Sequence, residues 1–337
     1  MVIYNFILLL AICNIFVCDK RFLLFTILVL CFFCGFRANV LGYDYFVYKE
    51  YYDNILQDGN VFGYEPFFYF LAFFFKSLGV SYSVFLFIIS VLFHCSLYNL
   101  LLSINRRLLI NTGVVLSAYV SAVYFWHSYT LVRQSISIAV FYFVLSSILN
   151  SSRKKRLCVN LFGVGFHISH IIPVLFQVSR LVRFSAKGVL TLFGASFLFL
   201  LLVLYYYPLI SGKFLQYSTG GVTGLLPVCE FLFSIVIVYL TGTNNRRDFF
   251  IILIFSIVIA VCGAFISEVF IRFVEPFRIV TPIAFGYLFK LINKNSNELA
   301  GVFLCAFIIY CFIRLNFFLL GFGDYAIPYQ NELFFYM

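Results

Sequence analysis

Apolar positions fall along this chain in runs near twenty residues, separated by short stretches that hold most of the charge. The runs cover roughly residues 2–18, 22–41, 80–104, 108–126, 130–149, 188–207, 225–243, 249–270, 277–292 and 299–320. A helix needs about 20 apolar residues to cross a bilayer, and in hydrocarbon a backbone must satisfy its own hydrogen bonds. The pattern therefore predicts an all-α, polytopic integral membrane protein with about ten full spans. Transmembrane β-strands alternate over roughly ten residues, and a run such as 249–264 does not alternate.

Two apolar stretches do not fit full spans. Segment 157–179 lies between basic clusters and is too short to leave and return as two spans, so it predicts a pair of short helices meeting near His167–Ser169. Segment 65–78 must not cross fully, or every later loop inverts, and is expected to be a re-entrant or interfacial helix.

The basic clusters orient the chain. They are Lys20–Arg21, Arg106–Arg107, Arg153–Arg156, Arg180 to Lys187, Arg246–Arg247 and Lys290 to Lys294. Loops rich in Lys and Arg stay on the cytoplasmic side. With the two short segments treated as above, every cluster is cytoplasmic and both termini lie outside. The first apolar run has no basic segment before it and no small-residue cleavage site, so it is expected to remain as a span. The outside then holds loops at about 37–64, 208–224 and 271–276, with no internal repeat and no soluble domain. A single transmembrane helical domain, 1–337, is the expectation.

Composition agrees with this picture. The chain is 64% hydrophobic and 11% charged, against about 25% charged in a soluble domain. The net charge of +10 would admit nucleic acid, but the cations are grouped between apolar runs as cytoplasmic loops are, so no nucleic-acid partner is expected. Most of the ten cysteines lie inside apolar runs; Cys31 and Cys34 form a CxxC without a second pair or a nearby His, and read as small buried residues.

Ionisable side chains within a span cost roughly 2.5–3.5 kcal/mol each on insertion scales and need a reason. Arg133, Glu230, Glu268 and Arg314 fall toward the outer ends of spans, and Arg272, Glu275 and Arg278 lie at the outer boundary. Arg37, Asp44, Asp53 and Glu65 lie in or beside the first outer loop. Structural Arg–carboxylate pairing accounts for Glu230 and Glu268. Arg133, Arg272 and Arg278 suggest more, because the guanidinium fork matches phosphate oxygens and converging forks suit a diphosphate. With Arg37 they are expected to line one outward-opening cavity. Asp44 stands in Gly42-Tyr43-Asp44-Tyr45, followed by Tyr48 and, further on, Glu65. Tyrosine faces beside carboxylates make sugar-binding surface, since rings stack on sugar faces and carboxylates accept from hydroxyls. An interfacial aromatic belt explains the tyrosines equally and Asp44 poorly. His167 and His170 stand at i and i+3, a weak metal pair with no acidic neighbour; each reads as a structural histidine or a proton acceptor at the outer face. His94 and His127 read as structural.

At these residues the chain resembles the EpsG/Wzy-type polymerases of bacterial polysaccharide synthesis. The likeness is carried by Gly35-Phe36-Arg37 leading to Tyr43-Asp44-Tyr45 and Tyr48, by Tyr64-Glu65-Pro66, by Leu131-Val132-Arg133-Gln134-Ser135-Ile136-Ser137-Ile138-Ala139, and by Phe166-His167-Ile168-Ser169. It covers about residues 1–180; Arg272 to Arg278 is similar to a late outer Arg segment only loosely, and His170 replaces the small residue expected there.

The resemblance implies a GT-C-like glycosyltransferase architecture in the bacterial cytoplasmic membrane, with its active site facing outside. The substrates it implies are oligosaccharide repeat units linked to undecaprenyl diphosphate, one as donor and one as acceptor, for capsule, exopolysaccharide or O-antigen. Membrane lipids, a flippase and a chain-length regulator are the implied partners, and no metal or other cofactor is expected. In such a reaction Arg133, Arg272 and Arg278 would stabilise the leaving diphosphate, Arg37 would serve the phosphates of either substrate, and His167 or Asp44 would take the acceptor's proton. Tyr43, Tyr45, Tyr48 and Glu65 would hold sugar. A flippase of the lipid-linked unit and a membrane O-acyltransferase acting on polysaccharide remain the alternatives.

Overall fold

The computed structural model describes residues 2–37, 45–57, 65–150, 157–181, 194, 225–241, 252–253, 256–261 and 269–322. The elements are helices throughout, with no strand among the described residues. Three helices there are long and apolar enough to cross a bilayer, Tyr82–Leu108, Val132–Leu149 and the Asn297–Leu320 stretch of the last helix. Shorter apolar helices accompany them, including Val2–Val17 and Leu226–Thr241. The expected spans at 188–207 and 249–270, and the basic loops 151–156 and 242–251, lie wholly or largely outside the described residues. The chain divides into two compact units, Ser169–Leu288 forming one and the remainder the other; each is described by itself.

The larger unit begins with α1 (Val2–Val17) and α2 (Lys20–Gly35). Asp19 breaks between them and caps α2 by accepting from the Arg21 amide. The pair is pinned in its apolar interior by Asn14, whose amide donates to Thr26 Oγ1 at 2.8 Å. Two short helices come next, α3 (Tyr45–Asn54) and α4 (Pro66–Ser77). At 1.5 Å per residue the 12 residues of α4 extend about 18 Å, too short to cross a bilayer. Ser81 then caps the long helix α5 (Tyr82–Leu108), which ends in a left-handed Leu109.

Asn111 caps α6 (Thr112–Tyr119) and also donates to the Ile15 carbonyl at 3.0 Å. The start of α6 lies so close to the end of α1 that a Cβ on Gly113 would stand 2.2 Å from the Ile15 amide nitrogen. Beyond Tyr119 the helix widens into two π-helical turns, Val120–Tyr124 and Trp126–Thr130. It ends at Leu131, and α7 (Val132–Leu149) starts anew. Helix α7 packs most extensively on α5, which also packs on α2. A Ser103–Ser146 hydroxyl contact of 2.7 Å ties α5 to α7. Helix α8 (Leu157–Phe166) packs on α7 and α4. A Cβ on Gly165 would fall 2.2 Å from the Phe67 ring, so glycine there lets the α4 aromatic seat against α8. The break after α8 at His167 is where the apolar pattern placed it.

The smaller unit contains a 3-10 turn, Ile168–His170, from its second residue onward, then α9 (Ile171–Leu181), α10 (Leu225–Thr241) and α11 (Val269–Val274). A 3-10 turn over Glu275–Ile279 leads into α12 (Val280–Asn295), whose first part closes this unit. Ser234 of α10 donates to Thr281 of α12 at 3.1 Å, and the Phe233 and Phe285 rings meet in a tilted contact, 5.0 Å between centres. The last helix, α13 (Asn297–Phe322), belongs to the larger unit and packs on α1 and the π-helical turn.

Candidate functional site

Arg133 is the second residue of α7, where the helix presents the positive end of its dipole and a cation is disfavoured. Its position therefore needs support from elsewhere, and α3 and the start of α4 supply it. Tyr48 belongs to α3, whose Tyr45, Tyr48 and Tyr52 share one face and are buried among Phe68, Tyr82 and Phe85. Arg133 Nε donates to Tyr48 Oη at 2.8 Å, and the guanidinium carbon also stands 5.4 Å from the Tyr48 ring centre. Arg133 Nη1 is paired with Glu65 Oε2.

Glu65 owes its place to the residue after it. Pro66 opens α4 at a position where its missing N–H is harmless, and a residue preceding proline is confined to extended backbone. Glu65 accordingly has φ −60° and ψ 140° and makes no side-chain cap bond to its own helix. Its carboxylate goes to Arg133 instead. Both partners stay partly exposed, Arg133 18% and Glu65 19% at the side chain.

A second clamp holds α3 to α4. Asp53 accepts from Lys49 at 2.8 Å and from Lys76 at 2.9 Å, while Lys76 lies 5.2 Å from the Tyr52 ring centre. Tyr52 Oη reaches the Val80 carbonyl at 2.9 Å. Burial pushes the Tyr52 phenol up to about 12, with the Asp53 charge adding to it. Burial would raise Asp53, but the two lysine hydrogen bonds outweigh it and hold the carboxyl below its ordinary value.

Arg37 is turned inward. It is 2% exposed, and its Nη1 donates to the Cys34 carbonyl at 2.9 Å and the Ser128 carbonyl at 3.3 Å. Its guanidinium carbon is 5.5 Å from the Tyr129 ring centre. Ser128 lies in the last π-helical turn, where carbonyls lack helical donors and the dipole favours a cation. Arg37 thus closes the end of that turn. It lines a cavity of about 10 Å³, room for about one water, with Ser90, Val132 and Ser135 among its neighbours.

The other arginines belong to the smaller unit. Arg278 is buried and held between two carboxylates, Glu230 Oε2 at 3.1 Å and Glu275 Oε1 at 3.4 Å. Glu230 thus does what the sequence suggested, pairing structurally with an arginine. Arg272 sits on α11, partly buried. Arg37 and Arg133 belong to the larger unit, Arg272 and Arg278 to the smaller.

His167, at the end of α8 and 8% exposed, donates its backbone N–H to Gly163 at 3.1 Å, and His170 is fully buried in the smaller unit. Asp44, Tyr43 and Glu268 lie outside the described residues. Among the described residues no three His, Cys, Asp or Glu side chains assemble as metal ligands. His94 and His127 are buried in hydrogen bonds to tyrosines, Tyr124 at 2.9 Å and Tyr119 at 2.9 Å.

The structure therefore joins three residues that the sequence singled out separately, Tyr48, Glu65 and Arg133. The Asp53 clamp was not anticipated, although the Lys49–Asp53 spacing of four residues on one helix is a visible signal for its first half.

Comparison with known proteins adds one finding. Residues 20–331 match the sequence model of the EpsG family. No curated protein and no solved structure is significantly similar to the chain.

Proposed function

We propose, for a chain that belongs to the EpsG family, that this membrane protein is a polysaccharide polymerase. It joins lipid-diphosphate-linked oligosaccharide repeat units at the outer face of the bacterial cytoplasmic membrane. The observation that carries the reading is Arg133: a cation at the disfavoured end of a helix, held in a defined orientation by Tyr48 and Glu65 and still partly exposed.

In the reaction the bond between the donor sugar's anomeric carbon and the diphosphate oxygen breaks. The acceptor hydroxyl oxygen forms the new bond to that carbon and gives up its proton to a base. Charge gathers on the departing diphosphate, and Arg133 offers it a pre-aimed fork in a site of reduced polarity. Tyr48 keeps the fork aimed as the anion arrives and leaves. His167 and Asp44 are the two candidates for the base. The rings of Tyr45 and Tyr48 are taken up by the buried cluster of α3 and are not open to a sugar, which corrects the expectation for them; the approach to α3, with Tyr43, is the proposed seat for the acceptor sugar.

A strain lacking the protein tests this. Single lipid-linked repeat units that reach the outer face and accumulate there support a polymerase. Units trapped inside would indicate a flippase, and full-length polymer lacking an acyl group would indicate an acyltransferase.

A further inference from the structure

We propose that Glu65 is a specificity-determining residue: its carboxylate is a built-in counter-ion that makes the Arg133 site select diphosphates over the singly charged phosphodiester headgroups of ordinary lipid. This rests on the reading of Arg133 as the diphosphate-binding group.

The geometry separates the tasks of two residues that hold Arg133. Tyr48 engages Nε, and Glu65 engages Nη1. Orientation through Nε survives when Glu65 leaves, so an incoming anion can take the place of the carboxylate without disturbing the arginine. The Glu65 carboxylate can be displaced at little cost in another respect: its side chain makes no cap bond to α4, whose first turn is held by the Glu65 carbonyl accepting from the Tyr69 amide at 3.1 Å, so withdrawing the carboxylate breaks no cap. Both side chains face outward enough for a ligand to reach them.

Charge decides which ligand succeeds. Arg133 and Glu65 together are neutral, and a ligand enters only by outcompeting a carboxylate that is already desolvated and tethered. A lipid phosphodiester brings one negative charge, the same as Glu65, and gains nothing by the exchange. A lipid-linked diphosphate brings two, with oxygens spaced to meet both arms of the fork. In a bilayer the phosphodiesters greatly outnumber the diphosphates, and by mass action an unguarded arginine would be filled by them. Selectivity is a difference of two affinities and is gained by weakening the wrong partner as well as by strengthening the right one. Glu65 weakens the wrong one.

The test uses the full-length protein in maltoside detergent with two soluble probes, geranyl diphosphate and dihexanoyl phosphatidylglycerol. Wild type is expected to favour the diphosphate by at least about ten-fold, and Glu65→Gln to bring the two within about three-fold through a gain in phosphodiester binding. Glu65→Asp, which withdraws the carboxylate by one methylene, falls between and serves if the Gln variant does not fold. A wild-type ratio in both variants overturns the proposal. So does loss of both probes by a folded Glu65→Gln, which would make Glu65 a prop for Arg133. Arg133→Gln is expected to bind neither probe. Undiminished diphosphate binding there would remove the underlying reading of Arg133, a result distinct from an unchanged ratio in the Glu65 variants.

Discussion

Arg133 and Tyr48 lie 85 residues apart in sequence and share a hydrogen bond of 2.8 Å that fixes the direction of the guanidinium. The bond runs from the planar Nε–H, so it constrains the whole fork and not only one nitrogen.

That relationship makes the arginine irreplaceable by lysine. A lysine ammonium is a point donor on a flexible stem and cannot stay bonded to Tyr48 while offering a fork to a diphosphate. Arg133→Lys is expected to insert at normal levels yet lose most polymer, and Arg133→Ala nearly all. Polymer from complemented deletion strains, with membrane levels matched by blot, checks this; near-normal polymer from Arg133→Lys would reduce the requirement to charge alone.

Tyr48→Phe keeps the ring in its cluster and deletes only the hydroxyl. Hydrogen bonds to charged groups contribute about 1.5–3 kcal/mol, so polymer formation is expected to fall by roughly ten-fold or more. Thermal unfolding in detergent should move little, because the ring contact with Phe68 at 5.8 Å remains. A large loss of stability with unchanged activity would assign Tyr48 to packing only.

In the smaller unit, Arg278→Met leaves Glu230 and Glu275 buried without their shared cation. Breaking one side of a buried ion pair costs about 3–5 kcal/mol, so the variant is expected to unfold at markedly lower temperature. Adding Glu230→Gln to it should recover part of the loss, as measured by fluorescence-monitored melting in one detergent.

The pattern of apolar runs was enough to read an all-helical membrane protein, the short helix at 66–77 and the break near His167. Each rests on local length and periodicity, which a sequence displays directly. The grouping of Tyr48, Glu65 and Arg133 was visible only as three separate candidates. Its assembly depends on where the short helices α3 and α4 settle relative to the start of α7, and hydrophobic pattern does not encode such long-range placement. Arg37 illustrates the opposite difficulty. From sequence it is one more outer arginine; in the structure it serves the carbonyls of a π-helical turn that no propensity rule announced.

The Asp53 clamp gives a pH dependence. Its carboxyl is held below the ordinary value in the folded chain. Its contribution is therefore complete above the unfolded carboxyl's pKa of about 3.9 and fades as pH falls through the lower folded value. The melting difference between wild type and Asp53→Asn should be constant from neutral pH to about pH 5 and shrink below about pH 4. A difference that grows on acidification would contradict the clamp.

Gly113→Ala tests the tightest backbone approach. The new methyl carbon would meet Asn14 and Ile15 main-chain atoms at 2.2–2.3 Å, which only a shift of α1 or α6 can relieve. Overpacking of this kind costs about 1–3 kcal/mol or more, and reduced yield of folded protein is expected.

The widened turns between Tyr119 and Leu131 set where the non-helical Leu131 stands, and so where α7 begins. Each residue of an α-helix advances the chain by about 100°, and a π-turn absorbs residues beyond the α-helical number. Excising one residue from 120–130 would let the helix tighten and turn the Leu131 junction by about 100°, so α7 would be asked to begin away from where Tyr48 and Glu65 wait. Loops elsewhere in such a protein tolerate changes of length; here the spacing between Tyr119 and Arg133 acts as an angular gauge, so an insertion or deletion silent in hydropathy would misdirect the guanidinium while leaving every side chain of the site intact.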